Sequence, residues 1–184
     1  MERQSGAETG VGDRPGAAER AAGRPASRFL IKDLTVRDAS YIAANMRLED
    51  LREIACLWQN WDTRLLGVCA LETAVPGMVW SIWHDGQPAA AYGFSRAAAF
   101  DPDHWQAWAY GTDRFRRCVP QMTRHLMAIR PVVERDCRRL QALTHDRHDV
   151  AHRWIESLGG EREGVLRSYG RGGEDFIVYA WVRA

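Results

Sequence analysis

The 184-residue chain lacks a long hydrophobic run, a closely spaced cysteine pair and an excess of charge of either sign. No apolar stretch approaches the ~18 residues that a helix needs to cross a bilayer, so the sequence argues against a transmembrane protein. The first residues carry no apolar segment typical of a secretory signal, and we therefore expect a cytoplasmic protein. The formal net charge of +1 argues against a protein that binds nucleic acid through bulk positive charge.

Patterns typical of metal sites are absent as well. No C-x-x-C pair occurs, which disfavours a zinc ribbon or a thioredoxin-type site; the four cysteines are Cys56, Cys69, Cys118 and Cys137. His145, His148 and His152 lie close together in the sequence, and the last two share one face of a predicted helix. No Cys or Glu follows at a spacing that would complete a zinc site, so we predict no metal.

Residues 1–27 contain no aromatic side chain and consist largely of Ala, Gly, Arg and Glu. Such a composition cannot bury enough apolar surface to offset the entropy lost on ordering. Four acidic residues balance four basic ones in this segment, which is unlike a polybasic arm or an organelle transit peptide. We therefore predict a disordered tail over 1–27 and a single folded domain over 28–184.

Hydrophobic periodicity from Phe29 onward predicts alternating strands and helices. After a short first strand, a T-x-x-D capping box at Thr35 and Asp38 begins a helical pattern that runs through to Trp58. The remaining predicted elements are a helix capped by Asp62 or Thr63, strands over 78–84, 89–94 and 104–110, a helix from Pro120 with a break or kink at Pro131, a strand over 140–144, a helix over 148–158, and strands over 165–169 and 175–182. This order, β-α-α-β-β-β-α-β-α-β-β, is that of an α/β (α+β) domain.

The C-terminal third carries a recognisable motif. The run H-D-V-A-H-R-W-I-E-S-L-G-G over 148–160 resembles the N-x-x-A-x-x-F-Y-x-x-L-G-F segment of the GCN5-related N-acetyltransferases, the GNAT superfamily. An E-G-x-x-R sequence from Glu163 and a G-x-D-x-x-x-Y sequence from Gly173 to Tyr179 follow. The resemblance implies a mixed, mostly antiparallel central sheet flanked by helices. It also implies transfer of an acetyl group from acetyl-CoA to a primary amine of a small molecule or a protein.

Within this superfamily the sequence is also similar to small phage-encoded GNAT-like proteins, among them an internal virion protein of T7-like phages. The similarity in element order covers most of residues 29–184, and the similarity in residues is confined to 148–160. In that branch the fold serves as a virion component. A catalytically inactive structural or accessory protein, with virion proteins as partners, is therefore the alternative to an enzyme.

The resemblance places the acetyl-CoA site along the fourth strand and at the start of the following helix. Backbone groups of Trp108, Ala109 and Tyr110 would face the pantetheine amides, and the helix N-terminus would hold the pyrophosphate. The family's Q/R-x-x-G-x-G/A loop is missing over 111–120. Either Thr112, Arg114, Arg116 and Arg117 hold the phosphates through side chains, or the site has been lost and these residues form a solvated loop.

The positions expected to perform catalysis depart from the family's pattern. In the family a tyrosine on the last helix often protonates the leaving thiolate, and Ile155 stands at that position here. Tyr169 and Tyr110 are the weak substitutes that the sequence offers. His148 stands where the family often has Asn, so its side chain either caps the helix or contacts the cofactor.

Overall fold

The computed structural model describes residues 28–60 and 62–183, so the tail predicted over 1–27 lies outside the described residues. In chain order, the elements are β1 (Phe29–Asp33), α1 (Val36–Ala44), α2 (Leu48–Leu57), α3 (Thr63–Glu72), β2 (Ala74–His84), β3 (Gln87–Ala98), β4 (Asp101–Gly111), α4 (Phe115–Asp136), β5 (Arg139–His145), α5 (Asp149–Ser157), β6 (Glu161–Leu166) and β7 (Phe176–Val182).

The strands form one mixed sheet in the order β1-β2-β3-β4-β5-β7-β6. Neighbouring strands are antiparallel except for β4 and β5, which run parallel and are joined by α4. A tight turn at Asp85 and Gly86, both with positive φ, connects β2 to β3 as their sequence predicts. The predicted α/β (α+β) architecture, a mostly antiparallel sheet flanked by helices, is therefore confirmed.

Helices cover both faces of the sheet, and alternation along the strands assigns side chains to each face. Tyr92 and Trp105 are buried on the face that carries α4, within the larger hydrophobic core. Ala91 and Tyr110 are buried on the opposite face against α1 and its neighbours. Trp108 packs at the edge of this second core. The cleft described below lies between the sheet and helices α4 and α5.

Two predicted helix starts are confirmed by their caps. Thr35 accepts a hydrogen bond from the Asp38 amide at 3.1 Å, and Asp62 accepts bonds from the Arg64 and Leu65 amides. The helical pattern through Trp58 is not continuous, however. It divides into α1 and α2 at residues 45–47, where the Asn45 side chain bonds back to the Tyr41 carbonyl.

Helix α4 differs from the prediction at its start, and it has no break at Pro131. It begins at Phe115 instead of Pro120, and it continues past Pro131 to Asp136. Phe115 is buried and fixes the first turn, and the buried residues Cys118 and Met122 continue the same apolar face. Packing of this face outweighs the hydrogen bond that each proline removes.

The strand predicted over 165–169 lies earlier in the chain, because β6 spans Glu161–Leu166. Residues beyond it turn instead of continuing the ladder. Ser168 has a positive φ, and its amide donates to the Asp175 carboxylate at 2.8 Å. The amide of Gly170 also bonds to the Glu174 carbonyl at 2.9 Å. Local turn chemistry therefore ends the strand before Tyr169.

Candidate functional site

Strands β4 and β5 diverge towards their carboxyl ends. Their parallel pairing runs from His104 with Arg139 to Ala107 with Ala142 and then stops. Beyond this point residues 108–111 of β4 remain paired with β3, and residues 143–145 of β5 remain paired with β7. The two strands therefore separate from Trp108 onward, and the gap between them opens at the first turn of α4.

A cleft of about 920 Å³ lies between this gap, α4 and α5. Its size is typical of small-molecule and cofactor sites. Four of the eight residues predicted to bind the cofactor line it, namely Trp108, Ala109, Arg116 and His148. The other four do not.

Helix α2 crosses the open end of the gap and is fixed to β4 by both backbone groups of Gly111. The Arg47 amide donates to the Gly111 carbonyl, and the Gly111 amide donates to the Asp50 carboxylate, each at 2.8 Å. The Arg47 guanidinium also donates twice to Asp50, at 2.8 and 2.6 Å. Both side chains are less than 10% exposed, at 9% and 4%.

Burial raises the pKa of the Asp50 carboxyl, and the Arg47 guanidinium and the Gly111 amide act in the opposite direction. Both carboxylate oxygens of Asp50 accept hydrogen bonds from neighbouring residues of the protein, Arg47 and Gly111. Asp50 is therefore a structural anchor for α2.

One turn further along α2, Glu53 reaches the other strand. Its Oε2 atom accepts hydrogen bonds from Thr144 Oγ1 at 2.8 Å, the His145 amide at 3.2 Å and His148 Nδ1 at 2.8 Å. Within the described part of the chain, Glu53 Oε1 has no hydrogen-bond partner. One carboxylate oxygen is thus fixed while the second stays available in the cleft, which Glu53 lines.

His148 precedes the first residue of α5, but its side chain makes no capping hydrogen bond. It turns instead towards Glu53, and this hydrogen bond raises the pKa of His148 above its ordinary value, against the opposing effect of burial. Of the two alternatives for His148, side-chain capping of the helix is therefore wrong.

Polar groups at the start of α4 already form hydrogen bonds within the protein. The Thr112 hydroxyl donates to the Ala89 carbonyl at 3.1 Å and accepts a bond from the Arg114 amide at 3.3 Å. The Thr112 carbonyl accepts a hydrogen bond from the Phe115 amide at 2.8 Å. Thr112 therefore supports the turn, and its hydroxyl is engaged within it.

The three arginines predicted at this turn point in different directions. Arg116 lines the cleft and forms an exposed ion pair with Glu49 at 3.1 Å. Arg114 donates to the Gln87 side chain, in the strand after the β2–β3 turn. The Arg117 side chain is exposed and makes no hydrogen bond within residues 28–60 and 62–183.

Neither tyrosine suggested as a catalytic acid lines the cleft. Tyr110 is buried on the opposite face of the sheet, where its hydroxyl donates to the Ala39 carbonyl at 3.4 Å. Burial raises its pKa well above the ordinary tyrosine value. Tyr169 is 47% exposed and packs against Phe176. Ile155, at the family's tyrosine position, is buried and lines the cleft.

Each of the three clustered histidines has its own partner. His148 binds Glu53, as described above, and His152 contacts the Tyr179 hydroxyl and the Asp146 carbonyl, both at 3.0 Å. His145 accepts the Arg147 amide at 3.0 Å. Among residues 28–60 and 62–183, no group of three or more His, Cys, Asp or Glu side chains is arranged to hold a metal ion. No helix of that part of the chain is long and apolar enough to span a membrane.

No protein-family model and no curated protein matches the chain. Solved structures do match it. Ard1 from Thermoplasma volcanium has a TM-score of 0.63 at 13% identity, over 85% of this chain and 99% of that one. A GNAT-family acetyltransferase from Bacillus anthracis has a TM-score of 0.60 at 14% identity, over 85% and 96%. The ribosomal-protein-S18-alanine N-acetyltransferase from Escherichia coli has a TM-score of 0.58 at 17% identity, over 85% and 94%.

These similarities define the class of fold. The chain has the fold of the GNAT acetyltransferases. At such identities the likeness concerns the fold alone, because one fold hosts many functions.

Sequence reasoning missed the charged residues of α2. Arg47, Asp50 and Glu53 recur every third residue, so they share one helix face. That spacing was the available signal, but solvated helix faces show the same pattern. Only the structure brings this face against the ends of β4 and β5.

Proposed function

We propose that the protein is an acyl-CoA-dependent N-acyltransferase that moves an acetyl group from acetyl-CoA to a primary amine of a small molecule or protein. The observation that carries the proposal is the free Glu53 Oε1 atom in a cleft that opens between β4 and β5. A carboxylate oxygen held in such a place can accept the proton of an attacking amine.

Some residues of the cleft suit the binding of acetyl-CoA, the proposed acetyl donor. The diverging edge of β4 at Trp108 and Ala109 offers backbone groups that β5 does not pair. Arg116 lines the cleft at the first turn of α4, where its charge and the helix dipole both favour a pyrophosphate. The donor supplies a thioester carbonyl, which forms the new C–N bond as the C–S bond breaks.

Glu53 is the proposed general base, and His148 is the proposed positioning residue. The three hydrogen bonds on Oε2 fix the carboxylate, so that Oε1 accepts the amine proton from a defined direction. The cleft also holds the amine beside the thioester, and this proximity supplies much of the rate where a strong acid is lacking.

Donor binding is tested by calorimetric titration with acetyl-CoA at moderate salt. We expect micromolar affinity that falls at least tenfold in Arg116→Ala, because one charge-assisted phosphate contact is lost. Arg124→Ala, an exposed position further along the same helix, is the matched control and should leave the affinity unchanged. Arg114→Ala and Arg117→Ala report whether those side chains contribute.

Catalysis is tested by release of free CoA thiol against a panel of primary amines. Glu53→Gln keeps the size of the side chain and removes the base, so we expect turnover to fall by ~10²-fold or more with unchanged acetyl-CoA affinity. Glu72→Gln, exposed at the end of α3, is the matched control. Full turnover in Glu53→Gln would remove Glu53 from the mechanism.

A second function is favoured by the start of α4. Thr112 already accepts two amides of that turn, and the glycines that would let phosphates approach are absent. These features fit an inactive GNAT-like protein of a virion, as the phage resemblance implies. If acetyl-CoA gives neither binding heat nor a thermal shift, and the protein co-purifies with phage particles, the alternative is supported and the acyltransferase proposal is excluded.

A further inference from the structure

The cleft continues past the point where β4 and β5 rejoin. We call the part beyond the Ala107–Ala142 pair the deep lobe. Helix α4 runs back along the sheet, and the Arg138 amide just after it bonds to the Asp103 carbonyl near the start of β4. The deep lobe is lined by Leu126, Val133, Cys137, Leu140, Leu158 and Trp181.

The walls of the deep lobe are apolar. Val133 is 9% exposed and Cys137 is 4% exposed, and burial raises the pKa of the Cys137 thiol, so it stays neutral. The polar tip of Trp181 is engaged elsewhere, because Nε1 donates to the Leu158 carbonyl at 3.0 Å. No charged side chain belongs to these walls, in contrast to the open end of the cleft at Glu53 and His148.

Most charged residues at the far rim are paired with the protein. Arg130 forms an ion pair with Glu134, and Glu163 forms one with Arg139. Arg183 donates to the carbonyls of residues 134 and 135 at the end of α4. Glu161, which also lines the cleft, is exposed and has no ion pair among the described residues, so charge is confined to this outer rim.

A side-chain bridge joins the two helices that flank the cleft. Trp154 Nε1 donates to Thr123 Oγ1 at 3.0 Å, and the Trp154 ring meets the edge of Phe115 at 6.0 Å between centroids. These contacts hold α5 against the first half of α4, on the side of the cleft that faces the diverging strands.

We propose that the deep lobe holds the hydrocarbon chain of a medium-chain acyl-CoA, which makes such a thioester a better donor than acetyl-CoA. The proposal rests on the proposed function. The pantetheine would enter at the diverging ends, and its thioester would lie near the apex of the gap. The paired residues 139–142 extend for roughly 10 Å beyond it. The chemistry is unchanged: the C–N bond forms, the amine proton passes to Glu53, and the C–S bond breaks so that CoA leaves as its thiolate.

The first test compares acetyl-CoA, hexanoyl-CoA and decanoyl-CoA by calorimetry on the full chain. Each buried methylene should tighten binding about three- to fourfold, so hexanoyl-CoA should bind roughly 100-fold more tightly than acetyl-CoA. Equal affinities along the series would overturn the deep-lobe proposal and leave the proposed function standing. Absence of binding by all three would overturn both.

Two variants assign the effect to the deep lobe. Leu126→Trp and Leu158→Trp fill space at two walls of the deep lobe, one on α4 and one at the end of α5. Both should remove the preference for hexanoyl-CoA and leave acetyl-CoA affinity within about twofold. Val165→Glu, exposed on β6 outside the cleft, is the control. An unchanged preference in a folded Leu126→Trp protein would overturn the assignment.

Discussion

The buried Arg47–Asp50 pair allows a quantitative test of how α2 is attached to the sheet. Replacing Asp50 by Ala leaves the Arg47 guanidinium buried without its counter-ion and leaves the Gly111 amide without an acceptor. Removing one partner of a buried pair costs about 3–5 kcal/mol. We therefore expect Asp50→Ala to lower the free energy of unfolding by that amount and Tm by roughly 6–20 °C.

The double variant Arg47→Met with Asp50→Ala separates the two effects. It removes the unpaired charge and keeps the unsatisfied amide, so the loss should shrink to about 1–3 kcal/mol. Glu134→Ala breaks an ion pair whose side chains are 51% and 55% exposed, and it should cost at most about 0.5 kcal/mol. Urea denaturation followed by circular dichroism measures all three variants.

The outcome that would refute this reasoning is specific. If Asp50→Ala costs less than about 1 kcal/mol, the pair does not anchor α2. If the double variant loses as much stability as the single one, the cost does not come from an uncompensated buried charge.

Two further predictions concern Gly111 and His148. A Cβ at Gly111 would collide with the Phe115 ring and lie 2.8 Å from the Ala89 carbonyl, so Gly111→Ala should cost about 1–3 kcal/mol in urea denaturation. The Glu53 hydrogen bond raises the pKa of folded His148. Its stabilisation is therefore complete below the ordinary histidine value of ~6.5 and is lost as pH rises through the raised value. The stability difference between wild type and His148→Gln should thus shrink as pH rises above the ordinary histidine value of ~6.5, and a difference that is constant or grows would contradict it.

The fold was largely predictable because its signals are local. The capping residues Thr35 and Asp62 and the Asp85–Gly86 turn determine element boundaries through contacts within a few residues. The wrong element boundaries come instead from contacts between residues far apart in the sequence. Helix α4 begins early because the buried Phe115 ring packs against Trp154, a residue that is distant in sequence.

The cofactor-binding residues were predictable only in part. The direction of each side chain decides which of the predicted residues reach the cleft. At the start of α4, that direction depends on hydrogen-bond partners elsewhere in the chain. Arg116 faces the cleft, whereas Arg114 turns to Gln87 and the Thr112 hydroxyl is used by Ala89. Strand alternation places Tyr110 on the same face as Trp108, so the sequence alone could not separate the two. Burial of Tyr110 against α1 removes its side chain from the cleft.

Helix α2 also explains why the gap between β4 and β5 is open without a ligand to fill it. Asp50 binds the end of β4 and Glu53 binds the end of β5, so the strand ends are held apart by one rigid turn. Three residues of helix rise by ~4.5 Å, which fixes how far these anchors separate. The side chain that holds β5 is also the proposed base. The cleft is therefore preorganised, and binding a donor does not have to pay for separating paired strands.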